Sequence, residues 1–165
     1  GRFAPEKRLE VLLNAYARYR ELGGTWPLDL YGAGDLPSVS TPSGLFRVHP
    51  FVQAAEMPLV YRGHAAFVLA SDFDPWPLVI LESCASGLPV IVTDRCTNHV
   101  EFVGRNGLVV PHGNVEAFAC AMLRLERERE GFDVAEGRRV AARYSCAAWS
   151  ARILEIVHKL GGRKG

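Results

Sequence analysis

Ser71-Asp-Phe-Asp-Pro-Trp-Pro-Leu-Val-Ile-Leu-Glu-Ser-Cys-Ala-Ser-Gly-Leu-Pro-Val-Ile-Val-Thr-Asp94 is the most informative stretch of this 165-residue chain. A continuous apolar run from Ala65 to Ala70 leads into it and suits a strand buried on both faces. The Asp74-Pro75-Trp76-Pro77 turn follows, and then a helix from about Leu78 to Ser86, closed by Gly87. Pro89 to Thr93 leaves as a second buried strand. Strand, turn, helix and strand make a βαβ unit with parallel strands and a right-handed crossover. Ligands bind such sheets outside the carboxyl ends of the strands, so the Asp74–Pro77 turn faces the cleft.

The flanking sequence repeats this alternation. Residues 5–22 read as one amphipathic helix, with Leu9, Leu12, Leu13, Tyr16 and Tyr19 on one face and Gly23-Gly24 as its stop. Pro27 to Tyr31 is a short strand ending in Gly32-Ala33-Gly34. The Pro-, Ser- and Thr-rich stretch from Pro37 to Gly44 is a loop, and Leu45 to His49 is a strand. Residues 54–62 are weakly helical, and Gly107 to Val110 is the last strand. Two or three helices follow. One, from about Val115 to Arg129, carries Val115, Phe118, Met122 and Leu125 as a stripe, and another near 147–160 carries Trp149, Ile153, Ile156 and Leu160. The fold class is α/β, a Rossmann-like parallel sheet with helices on both faces, and residues 1–165 form one domain. The chain passes from Gly1-Arg2-Phe3 straight into a helix where a doubly wound sheet wants a strand, so it reads as a segment of a longer protein.

Composition narrows the partners. The chain has 19 Lys and Arg against 18 Asp and Glu, so its net charge of +1 lacks the electrostatic footprint of a nucleic-acid binder. The four cysteines, Cys84, Cys96, Cys120 and Cys146, form no C-x-x-C pair and read as small buried hydrophobes in a reducing compartment. No apolar run approaches the roughly 20 residues of a membrane span, and no signal peptide is visible. A cytoplasmic location follows as the default. The histidines His49, His64, His99, His112 and His158 show no metal-ligand spacing, so no metal is expected.

Two acids bracket the helix start. Asp74 precedes it and Glu82 lies one to two turns inside, about 12 Å away at the helical rise. That is the span from ribose to sugar in an extended nucleotide diphosphate sugar. Between them, the free N–H groups of Leu78 and Val79 and the helix dipole suit a pyrophosphate, and carboxylates accept well from paired sugar hydroxyls. The plainer reading is also open, since Asp before Pro is a helix-start signal and Glu82 suits a helix surface. Thr97-Asn98-His99 either lines the same cleft or caps the helix near Val100.

The stretch resembles the Glu-x7-Glu motif of glycosyltransferase family 4, retaining enzymes of the two-domain GT-B fold, with Asp74 and Glu82 in the two acidic positions. The similarity runs nearly the whole length. Gly1-Arg2-Phe3-Ala4-Pro5-Glu6-Lys7 resembles the segment that opens the family's C-terminal domain, and Tyr31-Gly32-Ala33-Gly34 its Gly-x-Gly turn. Ser86-Gly87-Leu88-Pro89-Val90-Ile91 resembles its Gly-x-Pro-Val strand, and Asn106-Gly107-Leu108-Val109-Val110 a later Asn-Gly strand.

The resemblance implies roles. Arg2 and Lys7 would neutralise the diphosphate, the N–H groups of Leu78 and Val79 would bind it, Glu82 would hold the ribose and Asp74 the donor sugar. Gly32 and Gly34 would let the backbone approach the nucleoside. It implies a donor such as a UDP- or GDP-sugar, no separate cofactor, and an N-terminal acceptor-binding domain of the same enzyme. Acceptors at the inner face of a membrane fall within its scope.

Two departures touch the sugar end. Asp74 stands for Glu, shortening the reach by about 1.5 Å, and Pro77 stands for Gly, removing one N–H. Rival readings are a non-catalytic nucleotide-sugar-binding module and a nucleotide-sugar epimerase, whose Tyr-x3-Lys pair is not found here.

Overall fold

The computed structural model describes residues 1–38 and 45–161. Its elements run α1 (Leu9–Glu21), β1 (Leu28–Tyr31), β2 (Phe46–His49), α2 (Met57–Arg62), β3 (Phe67–Leu69), α3 (Leu78–Ala85) and β4 (Val90–Thr93). Then come α4 (His99–Phe102), β5 (Gly107–Val110), α5 (Val115–Arg127), α6 (Val134–Ala142) and α7 (Cys146–Gly161). All strand pairs are parallel. β1 pairs with β2, and β3-β4-β5 form a second sheet. The alternation of short apolar strands with helices thus gives the expected α/β layers. Of the Pro37–Gly44 loop, residues 39–44 lie outside the described residues.

Helices cover both faces. On one, α1 lies against α5, with Leu13, Ala15, Tyr16, Phe118 and Leu125 buried over Leu30 and Ile91. On the other, Ile80 and Cys84 of α3 and Phe102 of α4 pack on Val90 and Val92, with Ala141 of α6 beside them. β4 lies between these layers, and all four of its residues are buried. That is why Pro89 to Thr93 reads as an unbroken apolar run.

Several boundaries differ from the sequence expectation. The helix expected over 5–22 is broken: Pro5–Lys7 is a single 3-10 turn, and Arg8 turns left-handed at φ 49°, ψ 47° before α1 begins. A non-glycine residue in that region is strained. Arg8 is held there by its bond to Asp72, 2.7 Å from Nη1 to Oδ2. β3 is shorter than the expected Ala65–Ala70 run and only partly buried, because one of its edges borders a cavity. Among the cysteines, Cys84 and Cys96 are buried as expected, but Cys120 and Cys146 are exposed and all four are free. Gly1–Phe3 makes one parallel bridge, Arg2 to Ala33.

Candidate functional site

The carboxyl ends of β3 and β4 and the start of α3 meet at one rim, and the segment before α1 is clamped onto it. The Asp72 N–H donates to the Glu6 carbonyl at 2.9 Å, Arg8 bonds Asp72, and Lys7 Nζ donates to Asp74 Oδ2 at 2.5 Å. Three links across more than 60 residues of sequence fix Lys7 beside Asp74, in a pair that is largely buried. The left-handed Arg8 is what directs Lys7 and Arg8 onto two different carboxylates.

The Asp74–Pro77 turn is braced from behind by the loop after β4. Asp74 N–H donates to the Arg95 carbonyl and its carbonyl accepts from Thr97 N–H, while the Thr97 hydroxyl bonds the Pro75 carbonyl. Asn98 is fully buried and donates from Nδ2 to the Pro77 carbonyl at 3.2 Å. Asn98 is the N-cap of α4 by position, but its side chain makes no cap bond. The Thr97-Asn98-His99 loop fixes the geometry of the turn that opens α3.

Pro77 is the N-cap of α3, with no side-chain cap bond, and the Ile80 N–H returns to the Pro77 carbonyl at 3.1 Å. The N–H groups of Leu78 and Val79 ahead of it have no acceptor among the described residues. Two free donors at the positive end of a helix, next to Lys7, make a place where an anion is stabilised.

Glu82 is exposed one turn further, and its Oε2 accepts from the Tyr61 hydroxyl at 2.9 Å. Burial, and then this bond to a carboxylate, push the Tyr61 hydroxyl well above its usual range, so it stays a donor. Arg2, Lys7, Tyr61 and Val79 all border one cavity of about 480 Å³. Arg2 itself points outward, with its side chain 81% exposed and Nη2 3.6 Å from Glu6 Oε1.

Gly32 and Gly34 are close to the N-terminal segment. A Cβ on Gly32 would strike the Gly1 carbonyl and the Phe3 ring, and Gly34 sits at φ +122° with the Phe3 carbonyl 2.9 Å from its Cβ direction. Within the chain, what needs glycine here is the crossing of Gly1–Phe3.

Sequence reasoning missed one polar cluster. The β1–β2 register sets Asp29 opposite Arg47 and Tyr31 opposite His49, all on one face. Arg47 grips the Asp29 carboxylate in a fork at 2.8 and 2.7 Å, His49 Nε2 lies 2.6 Å away, and His64 Nε2 3.4 Å away. Tyr31 stacks on His49, with ring centroids 4.4 Å apart. Burial works to raise the Asp29 carboxyl, but the bonds and charges of Arg47 and His49 prevail and hold it below the usual carboxylate range. The signal was available only as period-two spacing on two strands whose register no sequence shows. Among the described residues, no group of three or more His, Cys, Asp or Glu is placed to hold a metal.

Fold and rim together define the class, an α/β Rossmann-like domain of the GT-B glycosyltransferase architecture. The chain belongs to the family described as glycosyl transferases group 1, whose pattern matches residues 1–128. It is 28% identical over 150 residues to O-antigen chain mannosyltransferase B of Escherichia coli, covering 86% of this chain and 39% of that one. It is 30% identical over 134 residues to exopolysaccharide phosphotransferase SCO2592 of Streptomyces coelicolor, covering 75% of this chain and 14% of that one. The pneumococcal O-GlcNAc transferase GtfA, solved in complex with UDP and GlcNAc, superposes with a TM-score of 0.73 at 20% identity, covering 95% of this chain and 35% of that one. The chain thus spans well under half the length of each of these proteins. Among the described residues, no helix is long and apolar enough to cross a membrane.

Proposed function

We propose that this chain is the donor-binding domain of a retaining glycosyltransferase, which passes a sugar from a nucleotide diphosphate sugar to a hydroxyl acceptor. The observation that carries the reading is the Lys7–Asp74 pair set beside the free N–H groups of Leu78 and Val79. A diphosphate lying across the start of α3 would receive those two donors and the Lys7 charge, with Arg2 at the outer rim. Asp74 would accept from the donor sugar and Glu82 from the ribose. Catalysis would be electrostatic, because the cations and the helix end stabilise the departing diphosphate as an oxocarbenium-like centre forms. The UDP and GlcNAc named for pneumococcal GtfA agree in chemical class with this donor.

The acceptor would be held by an N-terminal domain of the same enzyme, with the exposed stripe of α7 facing it. Trp149, Ile153, Ile156 and Leu160 are each between 50% and 66% exposed. The reaction would take place at the cytoplasmic side, with acceptors that include membrane-surface ones.

Thermal denaturation with UDP, GDP, ADP and their sugars tests the binding. A ligand at 100 times its Kd stabilises by about 2.7 kcal/mol, and Lys7→Ala should remove most of that shift. No nucleotide shifting the transition overturns the reading. The 165-residue chain should bind nucleotide yet transfer little sugar, and efficient transfer by it alone would contradict the two-domain assignment.

The closed Lys7–Asp74 pair favours one alternative, a non-catalytic nucleotide-sugar-binding module whose sugar end is filled by its own ion pair. Asp74→Ala in the full-length protein separates the two. Loss of transfer supports catalysis, and unchanged transfer supports the module.

A further inference from the structure

Helix α2 is tied down at two carboxylates. In its last turn the Tyr61 hydroxyl donates to Glu82 of α3, and just past its end His64 reaches Asp29 of β1, 3.4 Å from Nε2 to Oδ2. The His64 ring is also held on its other side, where Nδ1 lies 2.6 Å from the Val60 carbonyl of α2. The Asp29 side chain is only 5% exposed, so water screens little of what faces its oxygens.

The two histidines at Asp29 differ chemically. A carboxylate offers about four acceptor positions. Arg47 takes one on each oxygen, and His49 Nε2 takes a third, on Oδ1, at 2.6 Å. A neutral His49 makes that bond with its proton on Nε2. His64 cannot do the same. The Val60 carbonyl only accepts, so Nδ1 must carry a proton, and in the neutral ring Nε2 is then a bare lone pair. Beside a carboxylate that lone pair is repelled. Only the imidazolium donates at both nitrogens and fills the fourth position.

We propose that His64 is a proton-dependent latch, whose imidazolium form ties the end of α2 to Asp29 and whose neutral form releases it. Because Tyr61 lies three residues earlier, in the last turn of the same short helix, the proton on His64 also governs how firmly Glu82 is held. Loss of the proton leaves Glu82 freer to take another partner. The proposal does not depend on any donor being bound.

The remaining groups around this carboxylate leave the switching to histidine. Burial favours a proton on Asp29, but the bonds of Arg47 and His49 outweigh it and keep the carboxylate ionised where histidine titrates. Burial raises the hydroxyls of Tyr31 and Tyr61, so both stay neutral. From α1, the Tyr16 hydroxyl is bonded to the Trp26 carbonyl. Arg2 and Lys7 border the same cavity but are engaged with Glu6 and Asp74. The Gly1 amino group, bonded to the Tyr31 carbonyl at 2.8 Å, is lowered by burial and so changes charge close to the histidine range. A His64 variant separates the two.

Nitrogen NMR of the histidine rings and amide hydrogen exchange, followed from about pH 5 to about pH 8, test the latch on the 165-residue chain, His64→Gln and His49→Gln. At the acid end His64 should carry protons on both nitrogens. At the basic end it should be the Nδ1–H tautomer, while His49 keeps its proton on Nε2. Over the same range, protection of the Tyr61, Gly63 and His64 amides, corrected for intrinsic exchange, should fall by about fivefold or more. His49→Gln should keep that fall and His64→Gln should abolish it. A neutral His64 protonated on Nε2 overturns the proposal, as does protection that is constant with pH in the parent or an equal fall in His64→Gln. The ring measurement needs no variant, so it decides the matter even if His64→Gln does not fold.

Discussion

Helices α5 and α7 were both legible as amphipathic stripes, yet they end in opposite environments. In α5, Phe118, Met122 and Leu125 are buried against α1 and the sheet. In α7, Trp149, Ile153, Ile156 and Leu160 face outward, and Leu154 and Val157 beside them are more than half exposed. An apolar stripe specifies that a helix needs a partner but says nothing of where the partner lies. Packing supplies the stability of α5, whereas α7 has little but its own hydrogen bonds and an exposed Lys159–Glu155 pair.

The sharpest test of that contrast is Phe118→Ala, which leaves a cavity at a site with no exposed surface. It should destabilise the chain by about 3–5 kcal/mol in urea denaturation, and a loss under 1 kcal/mol would mean that α5 is not the core helix it looks to be. A smaller effect, and one that depends on pH, is expected at Asp29. Its carboxyl lies below the usual range in the folded state, so its contribution is present above the unfolded value near 4 and is lost as pH falls through the lower folded value. Asp29→Asn should cost about 1–3 kcal/mol at pH 7, and the gap from the parent should close below pH 4. A gap that persists at pH 2 would mean the cost is steric. Next comes the α5 cap, where the Asn114 side chain accepts from Ala117 N–H at 2.9 Å. Asn114→Ala should cost about 1 kcal/mol. The smallest effect belongs to α7, where Trp149→Ala should change stability by less than about 0.5 kcal/mol. A larger loss in the 165-residue chain would show that the stripe is already covered.

Local signals carried most of the fold. β5 was read to the residue and α3 to within one, because glycine, proline and apolar runs mark their ends directly. α6 was not located, since its inward face is made of small residues. Gly137 packs so closely on Asn106 that a Cβ would come within 2.8 Å of Nδ2, and Ala141 fills the next space. No large apolar residue marks such a face. The break at Arg8 was invisible for a different reason, because its cause is Asp72, 64 residues away. At the candidate site, the sequence put Lys7, Asp74, Leu78 and Val79 around one feature, and the structure brings Lys7 onto Asp74 beside that helix start. It could not show that Glu82 bonds Tyr61, that Arg2 points outward, or that Asn98 braces the turn from within.

The contact between Lys7 and Asp74 makes occupancy of this rim an exchange. An anion that draws Lys7 away leaves a carboxylate stranded in a largely buried position unless the same molecule also offers it hydroxyl groups. Bare pyrophosphate brings charge without that compensation, whereas a molecule carrying both diphosphate and sugar replaces each broken interaction with a new one. On the proposed reading, bare pyrophosphate should therefore bind this rim more weakly than a diphosphate that carries a sugar.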